Sequence, residues 1–234
     1  KHPCPEYLSE AVYGLTELYR KDIPDSKLIA NPGCYPTGAI LALAPIIQGD
    51  LINSDIVIDS KSGVSGAGRG LSLTTHFSEV NENVSAYGFD GHRHLPEIVQ
   101  ELNRINTKFK SNVTFLPHLV PMTRGIYSTC YVSLKDKSDF SKKNGPQELR
   151  SIYEDFYKND PFVQVSDAPP STKQTTGSNM CIVYPSMDKI SGKLVLTSCI
   201  DNLIKGAAGQ AVENMNLMIN LPETQGIDNL ALNP

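Results

Sequence analysis

One cysteine in this chain has the surroundings of a nucleophile. In Ala30-Asn31-Pro32-Gly33-Cys34-Tyr35-Pro36-Thr37-Gly38 an extended segment meets a Pro-Gly corner, which delivers Cys34 to the start of the apolar run Ala39 to Ile47. Gly33 places no Cβ beside the cysteine, so the backbone can bend sharply there and a substrate can approach closely. Pro36 suits a first helical turn, where the N–H it lacks would be unpaired anyway. A thiol at a helix start faces the positive end of the dipole and the free N–H groups of the first turn, both of which favour the thiolate. The alternative for Cys34 is a buried cysteine acting as a small apolar residue. A nucleophilic thiol needs a proton-transfer partner, most often histidine. Gly91-His92-Arg93-His94-Leu95-Pro96-Glu97 supplies two, with His94 at the entry to a helix and Arg93 at hand for an anion. Two histidines two apart with no matched pair nearby make a poor metal set, and an exposed polar turn is the other reading of this stretch.

The elements that must hold these groups follow from periodicity. Pro36 to Ile47 reads as a helix apolar nearly all round, hence buried, limited by Pro45 and closed by Gly49-Asp50. Lys27 to Ala30 reads as a strand leading into the cysteine corner, preceded by a short helix within Glu6 to Tyr19 that Gly14 interrupts. Asp55 to Ser60 reads as a buried strand opening into the Gly- and Ser-rich stretch Lys61 to Gly70, either an anion cradle or a flexible surface loop. Leu95 to Ile105 and Pro146 to Tyr157 are amphipathic helices. Val113 to Leu116 is a strand, and Thr123 to Leu134 alternates as a half-buried one. Met180 to Tyr184 and Lys193 to Cys199 form an antiparallel hairpin. A final helix, Ile204 to Ile219, carries Gly206, Ala207, Ala208, Gly209 and Ala211, and a polar tail follows Leu221. This order of elements predicts an α+β fold, a mostly antiparallel sheet with helices on one face.

Composition narrows the function classes. A net charge of −4 lacks the basic footprint of nucleic-acid binding. No apolar run approaches the roughly 18 residues that span a bilayer. Five cysteines, odd in number and scattered, suit a reducing compartment such as the cytoplasm better than a disulfide framework. The chain opens on Lys1 without an initiator methionine, which reads as an internal start. A plastid or mitochondrial targeting segment ahead of it is the alternative to a cytoplasmic location.

Taken together, Asn31 to Gly38, Ser62 to Arg69, Gly91 to Glu97, Pro117 to Gly125 and Asp201 to Val212 resemble the N-acetyl-gamma-glutamyl-phosphate reductases of arginine biosynthesis, in that family's order and from end to end of the chain. The resemblance implies an enzyme similar to aspartate-semialdehyde and glyceraldehyde-phosphate dehydrogenases, in which NADPH reduces an acyl phosphate to an aldehyde. On that pattern Cys34 attacks N-acetyl-glutamyl phosphate, expels phosphate and holds the acyl group as a thioester, which hydride transfer converts to the semialdehyde. His94 is the implied acid/base, preferred to His92 by its place in the family's His-Arg-His motif. Arg93 and Arg124 are candidates for the substrate's carboxylate and phosphate, since guanidinium forks match both; surface ion pairing is their other role. Ser65, Gly66, Asn202 and Gly206 resemble positions lining the cofactor end of the site. A homo-oligomer, dimer or tetramer, is also implied.

The chain departs from the family in lacking a G-x-G-x-x-G fingerprint. The resemblance then makes residues 1–33 the closing segment of a doubly wound dinucleotide-binding domain. Residues 34–200 become a glyceraldehyde-3-phosphate dehydrogenase-like catalytic and dimerisation domain, and 201–234 a helix and tail returning to the first unit. It further implies that this polypeptide alone binds NADPH poorly and is inactive as a reductase. Two rival readings stand beside it: a cysteine hydrolase or acyltransferase using the same Cys34 and His94, and a non-catalytic oligomerisation fragment.

Overall fold

The computed structural model describes residues 2–136, 140 and 145–232. Its centre is a seven-stranded mixed sheet of β3 (Ile52–Ser62), β4 (Ser85–Ala86), β5 (Asn112–Leu119), β6 (Ile126–Leu134), β7 (Val163–Val165), β8 (Cys181–Met187) and β9 (Lys193–Ile200). The strand order is β4-β5-β3-β6-β9-β8-β7. Antiparallel pairings link β4 with β5, β3 with β6, β6 with β9 and β8 with β9, while β3–β5 and β7–β8 run parallel. The predicted α+β class with a mostly antiparallel sheet therefore holds. The parallel β3–β5 pair follows from its long crossover, which contains α4 (Leu95–Ile105). Short β7 lies outside any predicted strand.

One helix organises the packing. α2 (Cys34–Gln48) is buried from Tyr35 to Ile47, as its unbroken apolar sequence requires, and begins two residues before the predicted Pro36. It lies over β6 and β9, with α4 against it on the β5 side and α5 (Gly145–Tyr157) on the β8 side. Pro45 sits inside α2, so the Leu41 carbonyl loses its usual N–H partner four residues on. The Tyr157 hydroxyl donates to that carbonyl at 2.5 Å, and the Tyr153 hydroxyl donates to the neighbouring Ala42 carbonyl at 2.6 Å. Two core tyrosines of α5 thus complete a helix that its own backbone leaves open.

The β6 alternation lies as predicted, with Ile126, Ser128, Cys130, Val132 and Leu134 buried beneath the helices. The opposite sheet face carries Val57, 44% exposed, and Tyr131, 38% exposed, which stand opposite each other in register. On the same face the Asp59 carboxylate lies 2.8 Å from the Lys61 ammonium and 3.1 Å from His118 Nδ1.

The two ends of the chain pack on one another. β1 (Val12–Tyr13) pairs in parallel with β2 (Ile29–Ala30), and α1 (Thr16–Tyr19) meets α6 (Gly209–Met218). The Asn214 amide of α6 donates to the Gly14 carbonyl at 2.8 Å and to Asn31 Oδ1 at 3.0 Å. The Gln210 amide donates to the Thr16 hydroxyl at 2.8 Å. The predicted helix within Glu6 to Tyr19 resolves into a single turn at Pro5–Ser9, β1 and α1, because Gly14 is packed against Asn214 and Ile29 with no room for a Cβ. The predicted final helix, Ile204 to Ile219, is also two pieces: a π-helical turn over Ile204–Ala208, then α6. The tail folds back over the surface, where the Leu232 N–H donates to the Thr176 carbonyl at 2.8 Å. No described helix is long and apolar enough to cross a membrane.

Candidate active site

Cys34 is the first residue of α2, with Gly33 as its N-cap. The thiol is partly buried in the wall of a cavity of about 580 Å³. Tyr35, Tyr87, His92, Arg93 and His94 share that wall, as does Gly66. The sequence thus brings Cys34 and the Gly91–Glu97 stretch to one place from opposite sides of β3. Gly33 is what allows it. A Cβ at position 33 would lie 2.6 Å from His94 Nε2, so the imidazole is seated on the bare glycine beside the thiol. The Glu97 carboxylate fixes the corner from below, accepting the Gly33 N–H and the Tyr13 hydroxyl, each at 2.8 Å.

The electrostatics differ from the expectation of a resting thiolate. Burial pushes the Cys34 thiol above its ordinary value; the N–H groups of Tyr35 and Cys34 and the charge of Arg93 pull the other way without cancelling it. The helix start helps, but removal from water weighs more. His94 is shifted in the complementary sense. Burial, then the neighbouring His92 and Arg93, lowers it to about 4, so the imidazole is neutral across the physiological range. A neutral thiol and a neutral base therefore line the same cavity. His92 Nδ1 accepts the His94 backbone N–H at 3.1 Å, and the two rings stand edge to face with centroids 4.9 Å apart. His94 Nδ1 is buried with no hydrogen-bond partner. The aromatic wall is closed by a 2.7 Å hydrogen bond between the Tyr35 and Tyr87 hydroxyls, with His92 edge-on to both rings.

The other predicted site residues divide. Arg93 is exposed at the cavity wall. Arg124 is outside the wall, and its guanidinium lies 3.5 Å from the buried Asp201 carboxylate, the ion-pairing role. Its chain neighbours hold the glycine loop: residues 63–65 donate N–H bonds to the carbonyls of Gly125, Met122 and Thr123, so the inner half of that loop is pinned rather than loose. Asn202 bridges the two segments, accepting the Gly125 N–H at 2.8 Å and donating to the Ser65 hydroxyl at 3.0 Å. Gly206 touches the nucleophile itself: a Cβ there would lie 2.7 Å from Cys34 Cβ. Ser65 and Gly66 can therefore edge a bound nicotinamide, and a Cβ at Gly66 would meet nothing closer than 3.4 Å. Asn202 and Gly206 meet Ser65 and Cys34 respectively. This fits the reactive end of a dinucleotide.

Tyr35, Tyr87 and Glu97 are parts of the site that a search for nucleophile and base does not single out, and His92, the second candidate base, stands in the wall beside them. Glu97 could have been marked by membership of the same motif as His94, and Tyr35 by adjacency to Cys34. Tyr87 carried no such signal. The other core cysteines are chemically remote: burial alone pushes Cys130 and Cys199 up to about 12, and Cys181 is buried with them. Among the described residues no group of three or more His, Cys, Asp or Glu is placed to hold a metal ion.

The fold is that of the semialdehyde dehydrogenases. It superposes on aspartate semialdehyde dehydrogenase II from Vibrio cholerae with a TM-score of 0.68 at 20% identity, covering 92% of this chain and 70% of that one. The family described as "Semialdehyde dehydrogenase, dimerisation domain" matches residues 34–202. N-acetyl-gamma-glutamyl-phosphate reductase of Dehalococcoides mccartyi (strain CBDB1) is 53% identical over 234 residues, all of this chain and 67% of that protein. The same enzyme of Pelotomaculum thermopropionicum is 52% identical over 237 residues, covering 66% of its length. The chain belongs to the N-acetyl-gamma-glutamyl-phosphate reductase family. This membership sets aside the hydrolase reading.

Proposed function

We propose that the chain carries the acyl-transfer centre of an NADPH-dependent reductase acting on N-acetyl-glutamyl phosphate, with Cys34 as nucleophile and His94 as its base. The observation that carries this reading is the neutral His94 imidazole seated on Gly33 beside the neutral Cys34 thiol. As Sγ attacks the acyl carbon, its proton passes to His94 Nε2; the C–S bond forms, the C–O bond to phosphate breaks, and the proton leaves with the phosphate. General-base help of this kind is worth about 10²–10⁴ in rate. Arg93, exposed on the wall, meets the anionic substrate, and the Tyr35–Tyr87 pair lines the acyl chain's side of the cavity. NADPH, when bound against Ser65 and Gly66, supplies the hydride that the thioester carbonyl accepts. His94, reprotonated from solvent, returns a proton to the Cys34 sulfur as the aldehyde departs.

In this reading 34–200 forms the catalytic unit, and 1–33 with 201–234, which pack on each other, belong with the dinucleotide-binding part. The sheet face bearing Val57 and Tyr131 is the surface across which two copies meet, and the setting is cytoplasmic, in keeping with five free thiols. The test is Cys34→Ser with N-acetyl-glutamyl phosphate and no nucleotide. The wild-type chain releases one phosphate per chain and gains the acyl mass on the Cys34 peptide, whereas the variant releases none and stays folded. Phosphate release by Cys34→Ser at the wild-type rate removes Cys34 from the mechanism.

A further inference from the structure

The π-helical turn that carries Gly206 is pinned by a buried ion cluster. Lys205 is fully buried, with Nζ 2.6 Å from Glu17 Oε1 and 2.8 Å from Glu213 Oε2. Nζ also lies 5.5 Å over the Phe162 ring. Glu17 comes from α1 and Glu213 from α6, so one ammonium ties both chain ends to the turn. Asn179 donates to the same Glu213 oxygen at 2.8 Å. The next residue along is Gly206, whose absent Cβ would stand 2.7 Å from Cys34 Cβ and 3.2 Å from Cys34 Cα.

Two features make this more than a stable core. The turn has i→i−5 bonds, Gly206 N–H to the Asp201 carbonyl and Ala208 N–H to the Leu203 carbonyl, both 3.0 Å. Such π turns are less favourable than α-helix and persist where surrounding structure imposes them, often at functional sites. The cluster also holds two carboxylates against one lysine, with Glu17 Oε2 and Glu213 Oε1 lacking hydrogen bonds. Apolar side chains of similar volume would serve stability at least as well as a buried ion cluster of this kind. What the cluster adds is a fixed location for residue 205, and hence for residue 206.

We propose that Lys205 is a positioning residue: its pairing with Glu17 and Glu213 sets the π turn so that Gly206 presses on Cys34 and aims the thiol into the cavity. This rests on Cys34 being the nucleophile. Releasing the turn uncovers Cys34, which lowers its pKa by relieving burial while spoiling its aim.

The test uses two variants. Glu17→Gln/Lys205→Met/Glu213→Gln removes every charge of the cluster and leaves none orphaned. Gly206→Ala displaces the turn sterically with the cluster intact. For each, iodoacetamide labelling of Cys34 against pH, single-turnover phosphate release from N-acetyl-glutamyl phosphate without nucleotide, and thermal unfolding are measured. Both variants release phosphate at least about tenfold more slowly, on the scale expected for misplacement of under an ångström. The half-saturating substrate concentration stays within about twofold, since substrate contacts are untouched. The labelling midpoint moves to lower pH. Wild-type release rates and labelling midpoints in either variant overturn the proposal, as does a rate loss that only tracks the unfolded fraction. A wild-type chain that forms no acyl-Cys34 is a different result, and refutes the reading of the site itself.

Discussion

Gly33→Ala isolates the seating of the base. The backbone at 33 is extended (φ −69°, ψ 155°), so alanine fits the conformation without strain. The new Cβ would lie 2.6 Å from His94 Nε2, 2.8 Å from Cδ2 and 3.0 Å from Cε1, where ordinary contact begins at 3.4 Å. The ring must retreat by about 0.8 Å, because the Cβ is fixed to a backbone held by Glu97 and by the Thr37 N–H bond to the Gly33 carbonyl. A displacement of about 1 Å costs on the order of 100-fold in rate, or about 2.7 kcal/mol of transition-state stabilisation. Stopped-flow phosphate release in a single turnover without nucleotide reads this directly. Gly33→Ala should fall about 100-fold, His94→Ala by about 10²–10⁴, and the double variant no further than His94→Ala, because both remove one interaction. Release by Gly33→Ala within about threefold of wild type at unchanged melting temperature refutes the argument, since the predicted loss is far larger.

Other tests address pH, stability and assembly. His94 is lowered to about 4, so the base is free above that value and the phosphate-release rate should fall as pH drops through about 4, with no inflection near the 6.5 of an ordinary histidine. The sign for folding is the same: the unfolded chain takes up that proton first, so the His94 contribution is full above 6.5 and diminishes down to about 4, measurable by urea unfolding at several pH values. Tyr157→Phe leaves the Leu41 carbonyl buried without a donor and should cost about 1–3 kcal/mol in urea titration. Tyr153→Phe should cost less, since Ala42 keeps its helical partner. Tyr131→Glu places a charge on the open sheet face and should shift sedimentation from dimer to monomer; an unchanged sedimentation coefficient removes that face from the interface.

The elements legible in the sequence are those whose pattern and environment agree. The unbroken apolar run of α2 and the strict alternation of β6 each have one reasonable burial, and both lie where the pattern puts them. The final helix is harder, because Ile204 to Ile219 is equally compatible with one α-helix; what bears on the π turn from outside the segment is the Asp201 carbonyl that accepts the Gly206 N–H, Glu17 on Lys205, and Cys34 against Gly206. Pairing of β3 with β5 is set by a crossover, and β7 at Val163–Val165 is too short to show a period. At the site, Cys34 and His94 announce themselves through glycine, proline and motif spacing. Their protonation does not, since the dipole is local to α2 but the burial that outweighs it comes from distant parts of the chain, the cavity wall between residues 62 and 119 and the turn at Gly206. Arg124 is legible only by residue type, and its pairing with the buried Asp201 carboxylate, far along the chain, carries no local signal.

Helix α2 has one more consequence, for how activity would be lost. Nucleophiles carried on loops sit in regions that open and reclose many times before a protein unfolds. Here the thiol rides on the most deeply enclosed segment of the chain, capped at mid-length by two tyrosines from another helix. Amide exchange along Ala39 to Ile47 should therefore proceed only by global opening, and oxidative or alkylating damage through fluctuation is confined to the one face that meets substrate.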